Sequence, residues 1–425
     1  MSHFDVIVVG AGAAGLSAAR RLQDAGRRCV VLEARARPGG RAVTDHSLDA
    51  PADLGAAWLH FGDQSHWTQV AEKAGYTVIR REPGWGPNAW IGSRPPTEAE
   101  RAAAAANYQR YHALVEAAAA AGRDVSLDEV LPRDDYRPRF DAVMTWAVGA
   151  ETRDVSTLDL ASYEDSAHNW AVREGLGTVI AHAADGLDVR LRAEVREIDW
   201  SGHNVRVACS EGTMEAAAII VTVPTTVLVR GSIRFTPQLP SQWRDAAANL
   251  PLGVANKVFF VLPADCCEPD VPRHFIGRTD TSRTCSYVLF PAEQRLLCAY
   301  FGGDLSKELE ARGELEAFAR EDLRSVFGPR FANGLGAARA TAWGQDPCAL
   351  GSYSAARPGH ADARALLAQP VAPNLLFAGE ACSVHHYGTV HGAWLSGFEA
   401  AGRLLPLREP SGRTPSPRTL PDPPR

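Results

Sequence analysis

The N-terminal stretch constrains the fold of this chain more than any other. Residues 4–41 read FDVIVVGAGAAGLSAARRLQDAGRRCVVLEARARPGGR, in which a short apolar run passes into glycines spaced G-x-G-x-x-G. Gly10 permits a tight turn, Gly12 allows the close approach of a pyrophosphate, and Gly15 lets the following helix pack on the sheet. Ala14 lies in the first turn of that helix, whose free N–H groups would bind the phosphates. The pattern predicts a strand, turn and helix that bind a dinucleotide.

A second predicted strand, residues 29–32, ends at an acidic residue. The carboxylate of Glu33 can accept hydrogen bonds from both ribose hydroxyls of an adenosine, and it would repel a 2′-phosphate. NADP is therefore not expected. Arg35 follows two residues later, and we predict that it also contacts the cofactor. A lone glycine triplet is a weak signal, whereas the complete unit with Glu33 is a specific one.

The continuation RPGGR, residues 37–41, resembles the R-x-G-G-R motif of the flavin-containing amine oxidase superfamily. In that family the motif follows the dinucleotide fold, and its last arginine reaches the FAD pyrophosphate. The resemblance assigns this role to Arg41, with Gly40 beside it, and selects FAD rather than NAD. The alternative is a glycine-rich turn flanked by solvated arginines.

Length and composition bound the class of protein. A chain of 425 residues with 45% hydrophobic residues can bury a sizeable core, and we expect two lobes. A net charge of −6 offers no basic patch for nucleic acid, and no apolar run approaches the ~20 residues that span a bilayer. Because the first strand begins within a few residues of the start, we expect no signal peptide and a cytoplasmic location. The eight cysteines lack metal-like spacing, which predicts reduced thiols and no metal site. Cys266-Cys267 leaves open a vicinal disulfide, a redox pair or two unrelated thiols.

Residues 53–60, DLGAAWLH, resemble the D-L-G-A-x-W-x-H segment of polyamine oxidases. In those enzymes the backbone of this segment passes beside the flavin ring. The resemblance makes Ala57 and Trp58 cofactor contacts and places His60 at the substrate channel. The alternative for His60 is an ordinary histidine at a strand end.

Lysine is scarce in this chain, with Lys73, Lys257 and Lys307 as its three instances. Arginine stays protonated, whereas a buried lysine can lose its proton, so each lysine is a candidate for a role that arginine cannot fill. The segment PLGVANKVFF around Lys257 resembles the amine oxidase segment whose lysine holds a water against flavin N5. A buried ammonium costs several kcal/mol unless it is paired, so we expect a polar partner or a lowered pKa. The alternative is a lysine on an edge strand that extends to solvent.

The middle of the chain predicts helices and a hairpin. A capping box at Thr97 opens a long helix that runs to Gly122, on which Tyr108, Tyr111, Leu114 and Val115 form a face for packing. Further helical sequence carries several acids, most of them solvated, of which one or two could line a channel for a cation: Glu151, Asp154, Asp159, Glu164 and Asp165.

The sequence then predicts strands: a hairpin from residues 191–198 and 205–209, and a central parallel strand at residues 219–223. Val195 matches a family valine that holds the adenine through its backbone; the alternative is a plain strand valine.

The last third carries the remaining family motifs. Trp343 begins a W-x-x-D-P pattern, and Tyr353 in GSYS matches the aromatic that stands over the flavin and guides the amine. Ser352 stands where monoamine oxidases carry the cysteine joined covalently to FAD, so the resemblance implies noncovalent FAD. Gly379 and Glu380 end the LFAGE segment, in which Glu380 matches a ligand of the flavin side chain.

The segment TVHGAWLSG resembles the closing helix of the family, with Thr389 and Val390 at its N-terminus. That positive helix end would point at the N1–C2=O edge of the flavin and favour the negative charge of the reduced form. Thr389 replaces the second aromatic found in monoamine oxidases. Tyr353 would then stand alone, and we expect a wider mouth over the flavin.

The combined prediction is an α/β protein with the two-lobe fold of FAD-dependent amine oxidases. A Rossmann-like G-x-G-x-x-G FAD-binding domain would comprise residues 1–80, 191–250 and 336–408, and a mixed α+β substrate-binding domain residues 81–190 and 251–335. Residues 409–425 read as a disordered tail. The resemblance implies hydride transfer from an amine to flavin N5, hydrolysis of the imine, and reoxidation by O2 to give hydrogen peroxide.

Three alternatives share the FAD-binding sequence. An L-amino-acid oxidase needs a cation for the substrate carboxylate, and the GAAWLH segment lacks the arginine that those enzymes carry nearby. A desaturase or protoporphyrinogen-type oxidase would not need Lys257 and Tyr353. A non-catalytic flavoprotein would keep the cofactor motifs and lose the groups around N5. Oligomeric state is not encoded in these motifs.

Overall fold

The structure, a computed structural model, describes residues 3–82, 90–263 and 273–405. The Cys266-Cys267 pair and the tail lie outside the described residues. The strands, numbered in chain order, are β1 His3–Val9, β2 Cys29–Leu32, β3 Thr44–Asp45, β4 Ala52–Asp53, β5 Val78–Ile79, β6 Trp90–Ile91, β7 Ala171–Val172, β8 Val189–Arg190, β9 Val195–Asp199, β10 Val205–Cys209, β11 Gly212–Val221, β12 Arg234–Thr236, β13 Ala255–Val261, β14 His274–Ile276, β15 Ser286–Leu289, β16 Leu296–Gly302, β17 Ala338–Ala340 and β18 Leu375–Phe377. The helices are α1 Ala13–Asp24, α2 His66–Lys73, α3 Glu98–Ala120, α4 Leu127–Val130, α5 Arg137–Val148, α6 Thr157–Ser162, α7 Leu176–His182, α8 Thr225–Arg230, α9 Ser241–Ala248, α10 Gly303–Arg312, α11 Leu315–Gly334, α12 Ala363–Leu367 and α13 Val390–Arg403.

The predicted nucleotide-binding unit forms the centre of an eight-stranded sheet. β1 pairs in parallel with β2 on one side and β11 on the other, and β18 pairs in parallel with the end of β11. These strands are apolar on both faces, as expected where helices cover a parallel sheet. Their carboxyl ends meet at one edge, which is followed in the chain by Gly10, Glu33 and Gly379. The predicted central strand and the β9–β10 hairpin are confirmed.

Glycines set the close packing at this edge. A Cβ on Gly15 would lie 1.9 Å from the carbonyl oxygen of Gly10, so the start of α1 can contact the turn only without a side chain. A Cβ on Gly397 would lie 2.0 Å from the carbonyl oxygen of Ala14, so α13 crosses α1 at backbone distance. The middle of α13 therefore packs directly against the first turn of α1.

The second sheet has six strands in the order β17-β13-β16-β15-β14-β6. Side chains alternate along β13, as in any strand. Val258 and Phe260 pack in a core with Leu305 of α10 and Leu323 of α11, whereas Lys257 points to the opposite face. This sheet therefore carries one covered face and one face that lines the cavity described below.

Most local predictions for the helices hold. The capping box at Thr97 is present, with Glu100 bonded back to it, and α3 runs to Ala120. The packing face is only half correct, because Tyr111 and Val115 are buried whereas Tyr108 and Leu114 are 43% and 37% exposed. Among the described residues, no helix combines the length and hydropathy needed to cross a membrane.

The segment boundaries of the two domains stay a prediction, and two strands lie on the other side of them. β8 precedes residue 191 but pairs with β2 of the eight-stranded sheet. β17 follows residue 336 but pairs with β13 of the six-stranded sheet. Short edge strands join a sheet through backbone bonds that leave little pattern in the sequence, so such exchanges are not visible from motifs.

Candidate active site

One cavity of about 950 Å³ runs from the glycine-rich turn to the six-stranded sheet. All the predicted site residues line it except Gly15, which packs beneath the turn. The residues brought together are Gly10, Gly12, Ala14, Glu33, Arg35, Gly40, Arg41, Ala57, Trp58, His60, Val195, Lys257, Trp343, Tyr353, Gly379, Glu380, Thr389 and Val390. Their roles stay predictions, but their assembly in one place is a finding.

The turn end of the cavity fits a dinucleotide. A Cβ on Gly12 would meet nothing nearer than the Cα of Gly40 at 4.0 Å, and a Cβ on Gly379 would have no atom within 4 Å. A side chain at either position would therefore occupy part of the cavity. The N-termini of α1 and α13 lie at this end of the cavity. The Thr389 hydroxyl caps α13 by accepting a hydrogen bond from the Gly392 N–H at 2.9 Å. Helix N-termini favour the negative charge of a pyrophosphate.

Glu33 is held by backbone donors. One carboxylate oxygen accepts from the N–H of Ala11 at 2.8 Å and the other from the N–H of Arg35 at 2.8 Å. The Arg35 guanidinium instead donates two bonds of 2.7 Å to Asp346. The Arg35–Asp346 pair therefore fastens the loop after β2, and Glu33 keeps acceptor capacity for ribose hydroxyls.

We expect Glu33→Ala and Arg41→Ala each to lower FAD affinity about ten-fold or more, because hydrogen bonds to charged groups contribute roughly 1.5–3 kcal/mol. Titration of the apoprotein with FAD measures the change. Arg27→Ala, on the exposed turn after α1, removes a charge far from the cavity wall and serves as the control. Equal affinities in all three variants would refute the assignment.

A buried charge network lies behind the cavity floor. Arg41 donates to Glu380 at 3.0 Å and to the Ser352 carbonyl at 2.6 Å. Glu380 also accepts from the Ser354 hydroxyl at 2.7 Å and from the N–H of Gly388 at 3.0 Å. Burial opposes ionisation, but Arg41 and Arg364 outweigh it and lower the pKa of Glu380. Glu380 is therefore an ionised carboxylate, fixed by residues far apart in the chain.

Arg364, which joins this network, stands in no motif that marks it in the sequence. Arg364 is fully buried and donates to both carboxylate oxygens of Asp159, at 2.6 and 2.9 Å. It also donates to the Ser354 hydroxyl at 2.7 Å and lies 3.7 Å from the centre of the Tyr387 ring. The prediction that most of the acids form a solvated face does not hold for Asp159, because its carboxylate is buried as the counter-ion of Arg364.

The ammonium of Lys257 is held by two backbone carbonyls of the DLGAAWLH segment. Its Nζ donates to Asp53 at 2.8 Å and to Gly55 at 2.6 Å. Burial lowers the pKa of Lys257, as expected for an ammonium away from water. Both expected features, a polar partner and a lowered pKa, are present. The alternative of an edge-strand lysine is wrong, since β13 lies between β16 and β17.

Two tyrosines stand together beside Lys257. The Tyr353 hydroxyl donates to the Trp146 carbonyl at 2.5 Å, so the Tyr300 hydroxyl is the donor in their mutual bond of 2.7 Å. Burial raises the pKa of Tyr300 to about 12 and that of Tyr353 above its ordinary value, so both keep their protons. Tyr300 therefore accompanies Tyr353, and the wider mouth over the flavin that Thr389 leads us to expect stays a prediction. Tyr300 was missed because it reaches this place through its pairing opposite Lys257.

His60 lies on the cavity wall, as predicted. Its Nδ1 is 2.5 Å from the Oδ1 of Asn169, so Nδ1 carries the proton of that bond. Burial lowers the pKa of His60, which favours the neutral ring. Trp343 also lines the cavity. Its indole N–H donates to the Leu54 carbonyl at 3.0 Å, and its backbone N–H donates to the side-chain oxygen of Asn256 at 3.0 Å.

The remaining part of the cavity is a chamber between α3, α5 and the six-stranded sheet. Its wall is largely aromatic and apolar, with a few polar groups: Tyr108, His112, Val115, Glu116, Tyr136, Arg139, Val143, Met144, Tyr163, Asp165, His274 and Ser286. Of the predicted acids, Asp165 lines the chamber, as proposed for one or two of them. Glu151 instead accepts a bond from the N–H of Asp304 at 2.9 Å. No group of three or more metal-ligating side chains occurs in residues 3–82, 90–263 and 273–405.

Comparisons with known proteins assign this chain to a family. Residues 13–79 and 145–405 match the family described as flavin containing amine oxidoreductase. The chain belongs to this family. As an FAD-dependent amine oxidase, it is 31% identical to polyamine oxidase 4 of Oryza sativa subsp. japonica over 93% of this chain and 87% of the relative. It is also 28% identical to lysine-specific histone demethylase 1 homolog 1 of the same plant, over 98% of this chain and 54% of that protein. The fold matches cyclohexylamine oxidase from Brevibacterium oxydans IH-35A with a TM-score of 0.80 and 22% identity, over 94% of this chain and 98% of that one.

The amine oxidase should hold its FAD without a covalent bond. Ser352 has no sulfur to join to the flavin, and its hydroxyl donates to the Ala255 carbonyl and accepts from the Ala255 N–H, both at 2.8 Å. We expect a yellow protein from which acid precipitation releases all the FAD into the supernatant. Flavin that stays with the pellet would contradict this expectation.

Proposed function

We propose that this FAD-dependent amine oxidase acts on polyamines or their derivatives and uses O2 to produce hydrogen peroxide. The observation that carries the proposal is the arrangement of Lys257, Tyr300 and Tyr353 at the inner end of a long aromatic chamber. The similarity to polyamine oxidase 4 over nearly the whole chain supports the same substrate class. The catalytic and cofactor-contact roles assigned to single residues belong to this proposal, and the cytoplasmic location stays a prediction.

The residues that would hold FAD are those of the turn, the charge network and the start of α13. Glu33 would bind the ribose, Arg41 and the α1 N-terminus the pyrophosphate, and Glu380 the flavin side chain. The α13 N-terminus at Thr389 and Val390 would favour negative charge on the bound ring. When bound, FAD supplies the hydride acceptor and the route for electrons to O2.

The protein residues bind the amine and control its protonation. The buried aromatic wall disfavours an ammonium close to Tyr353, so the reacting nitrogen loses its proton before it arrives. Neutral His60 and the Asp165 carboxylate lie on the cavity wall, where they can accept that proton or bind a charged nitrogen farther along. Lys257, fixed by two carbonyls, offers its remaining donor capacity to a water that hydrolyses the imine.

The alternative functions make different demands on the chamber. An L-amino-acid oxidase needs a cation that pairs with the substrate carboxylate, whereas the Lys257 ammonium is already bound by two backbone carbonyls and its neighbours are tyrosines. A desaturase or protoporphyrinogen-type oxidase needs no neutral amine. A non-catalytic flavoprotein does not need the buried Lys257. The histone demethylase homologue adds a methylated lysine peptide as a further substrate to test.

One panel tests the proposal. FAD-loaded protein is mixed with putrescine, spermidine, spermine, their acetyl forms, benzylamine, cyclohexylamine, L-amino acids and a methylated lysine peptide. Amine-dependent peroxide release is recorded, and the aldehyde and amine products are identified. We expect turnover with one or more polyamines or acetylpolyamines. Peroxide from L-amino acids or from the peptide alone would overturn the proposed substrate class.

A further inference from the structure

The backbone of Lys257 is fixed within the six-stranded sheet. β13 pairs with β16 on one side and with β17 on the other, and the N–H of Lys257 donates to the Thr341 hydroxyl at 2.8 Å. The ammonium reaches a different part of the fold, where the carbonyls of Asp53 and Gly55 accept from it. The location of the ammonium in the cavity therefore depends on what holds the backbone of residues 53–55.

The side chain of Asp53 joins this backbone to two other elements. Its Oδ1 accepts from the Thr44 hydroxyl of β3 at 2.7 Å and from the N–H of Gly177 at 3.1 Å. Its Oδ2 accepts from the N–H of Leu176, the first residue of α7, at 2.9 Å. A Cβ on Gly177 would lie 2.4 Å from the backbone nitrogen of Thr44, so α7 begins at backbone distance from β3. Asp53 thus ties the carbonyl that binds Lys257 to β3 and to α7.

The donors around Asp53 favour its ionised form, because hydrogen bonds to a carboxylate stabilise it against protonation. Burial raises the pKa of Asp53, whereas the Thr44 hydroxyl, the two backbone N–H groups and the charge of Lys257 oppose that rise. The effect is mutual, since burial lowers the pKa of Lys257, and Cys298 and Asp53 oppose the lowering. Tyr300 also faces the ammonium, with its ring centre 5.9 Å from Nζ. Asp53 therefore gives the ammonium both a carbonyl ligand and a stabilising negative charge.

We propose that Asp53 is a positioning residue for Lys257, whose ammonium it holds in place through a backbone carbonyl anchored by the Asp53 carboxylate. If that carbonyl moves, the donor that Lys257 presents to the reacting atoms moves with it, and catalytic geometry tolerates little displacement. The inference rests on the proposed function of Lys257 and extends it to a side chain that acts only through Lys257.

A double-mutant cycle tests whether Asp53 acts in this way. Asp53→Asn nearly preserves the size of the side chain but replaces one accepting oxygen with an NH2 group, which cannot accept from a backbone N–H. In FAD-loaded protein, we expect this variant to lower by about ten-fold or more the rate of the same half-reaction that Lys257→Met slows. In the Lys257→Met background, Asp53→Asn should have almost no further effect on that rate, because the two substitutions remove one shared function.

Asp124→Asn is the matched control. The Asp124 carboxylate lies outside the cavity wall and also accepts from a hydroxyl, that of Ser156, and from a backbone N–H, that of Ala361 at 2.9 Å. Its rates should equal those of wild type. If Asp53→Asn does not fold, Thr44→Val takes its place in the cycle, since it removes one donor to the Asp53 carboxylate and keeps the volume.

The scarcity of lysine gives a second readout that needs no turnover. An isotope label at lysine Cε gives one NMR signal for each of Lys73, Lys257 and Lys307, and Lys257→Met identifies the signal of Lys257. In Asp53→Asn we expect this signal to move and to titrate at lower pH, because the ammonium loses a stabilising negative charge. The other two signals should stay in place, and Asp124→Asn should move none of the three.

Three results would overturn the assignment. The first is a rate for Asp53→Asn, or for its substitute Thr44→Val, equal to that of Asp124→Asn. The second is a loss of rate as large in the Lys257→Met background as in wild type, since independent sites have additive effects. The third is a Lys257 signal that does not move in Asp53→Asn. Each leaves the proposed function intact, because wild-type protein still oxidises an amine, whereas failure of every amine to reduce the flavin would defeat the proposed function itself.

Discussion

Replacing Lys257 with methionine should lower the rate of amine oxidation by about 10²-fold or more, while the protein still folds and binds FAD. Methionine nearly preserves the volume of lysine but removes the preorganised donor beside the reacting atoms, and the loss of one such donor has an effect of this size. The carbonyls of Asp53 and Gly55 also lose their partner. We therefore expect a lower midpoint of thermal unfolding together with the lost activity.

Rapid mixing separates the two half-reactions in this variant. Reduction of the bound flavin by the best amine is followed under nitrogen, and its reoxidation is followed after mixing with O2. Lys73→Met, an exposed lysine on α2, is the matched control and should keep both wild-type rates. If both rates in FAD-loaded Lys257→Met equal those of wild type, Lys257 is structural and its catalytic assignment is wrong.

Replacing Arg364 with methionine should destabilise the protein by about 3–5 kcal/mol, the usual cost of leaving one charge of a buried pair without its partner. Asp159, 1% exposed, would lose two hydrogen bonds and remain in a site without water. The Ser354 hydroxyl would also lose the hydrogen bond that Arg364 donates to it. Because this hydroxyl donates to Glu380, the Glu380 carboxylate would be held less firmly. Denaturant unfolding of the FAD-loaded protein measures the change, and FAD affinity should fall with it.

An exposed ion pair provides the comparison. Arg312 and Glu308 pair at 2.9 Å with side chains 59% and 34% exposed, and such pairs contribute about 0–1 kcal/mol. Arg312→Met should thus leave the unfolding midpoint almost unchanged. The double variant Arg364→Met, Asp159→Leu removes both buried charges and should recover part of the loss. Equal midpoints for Arg364→Met and Arg312→Met would show that the buried pair contributes nothing.

The parts of the fold that follow from local chemistry could be predicted from the sequence. The turn of Gly10 to Gly15 needs its glycines for reasons of space, so its strand, helix and location at a sheet edge follow from the residue order. The capping box at Thr97 fixes the start of α3 through contacts within four residues. The family motifs extended this reading to Lys257 and Tyr353, which the structure brings to the same cavity.

The residues that were missed depend on contacts between distant segments. Tyr300 reaches Tyr353 because β16 pairs with β13 in one particular register, and a shift by one residue would turn it away from the cavity. Arg364 and Asp159 each resemble ordinary surface charges in the sequence, although 205 positions separate them and both are buried. A single sequence does not specify such pairings.

Anaerobic mixing of the FAD-loaded protein with polyamines and acetylpolyamines tests the central claim most directly, because it needs neither O2 nor a coupled assay. Bleaching of the oxidised flavin spectrum is followed as a function of amine concentration and pH. The account predicts rapid, saturable reduction that speeds up as pH rises, since the neutral amine reacts, and that slows by about 10²-fold or more in Lys257→Met. Flavin that stays oxidised with every polyamine and acetylpolyamine would contradict it.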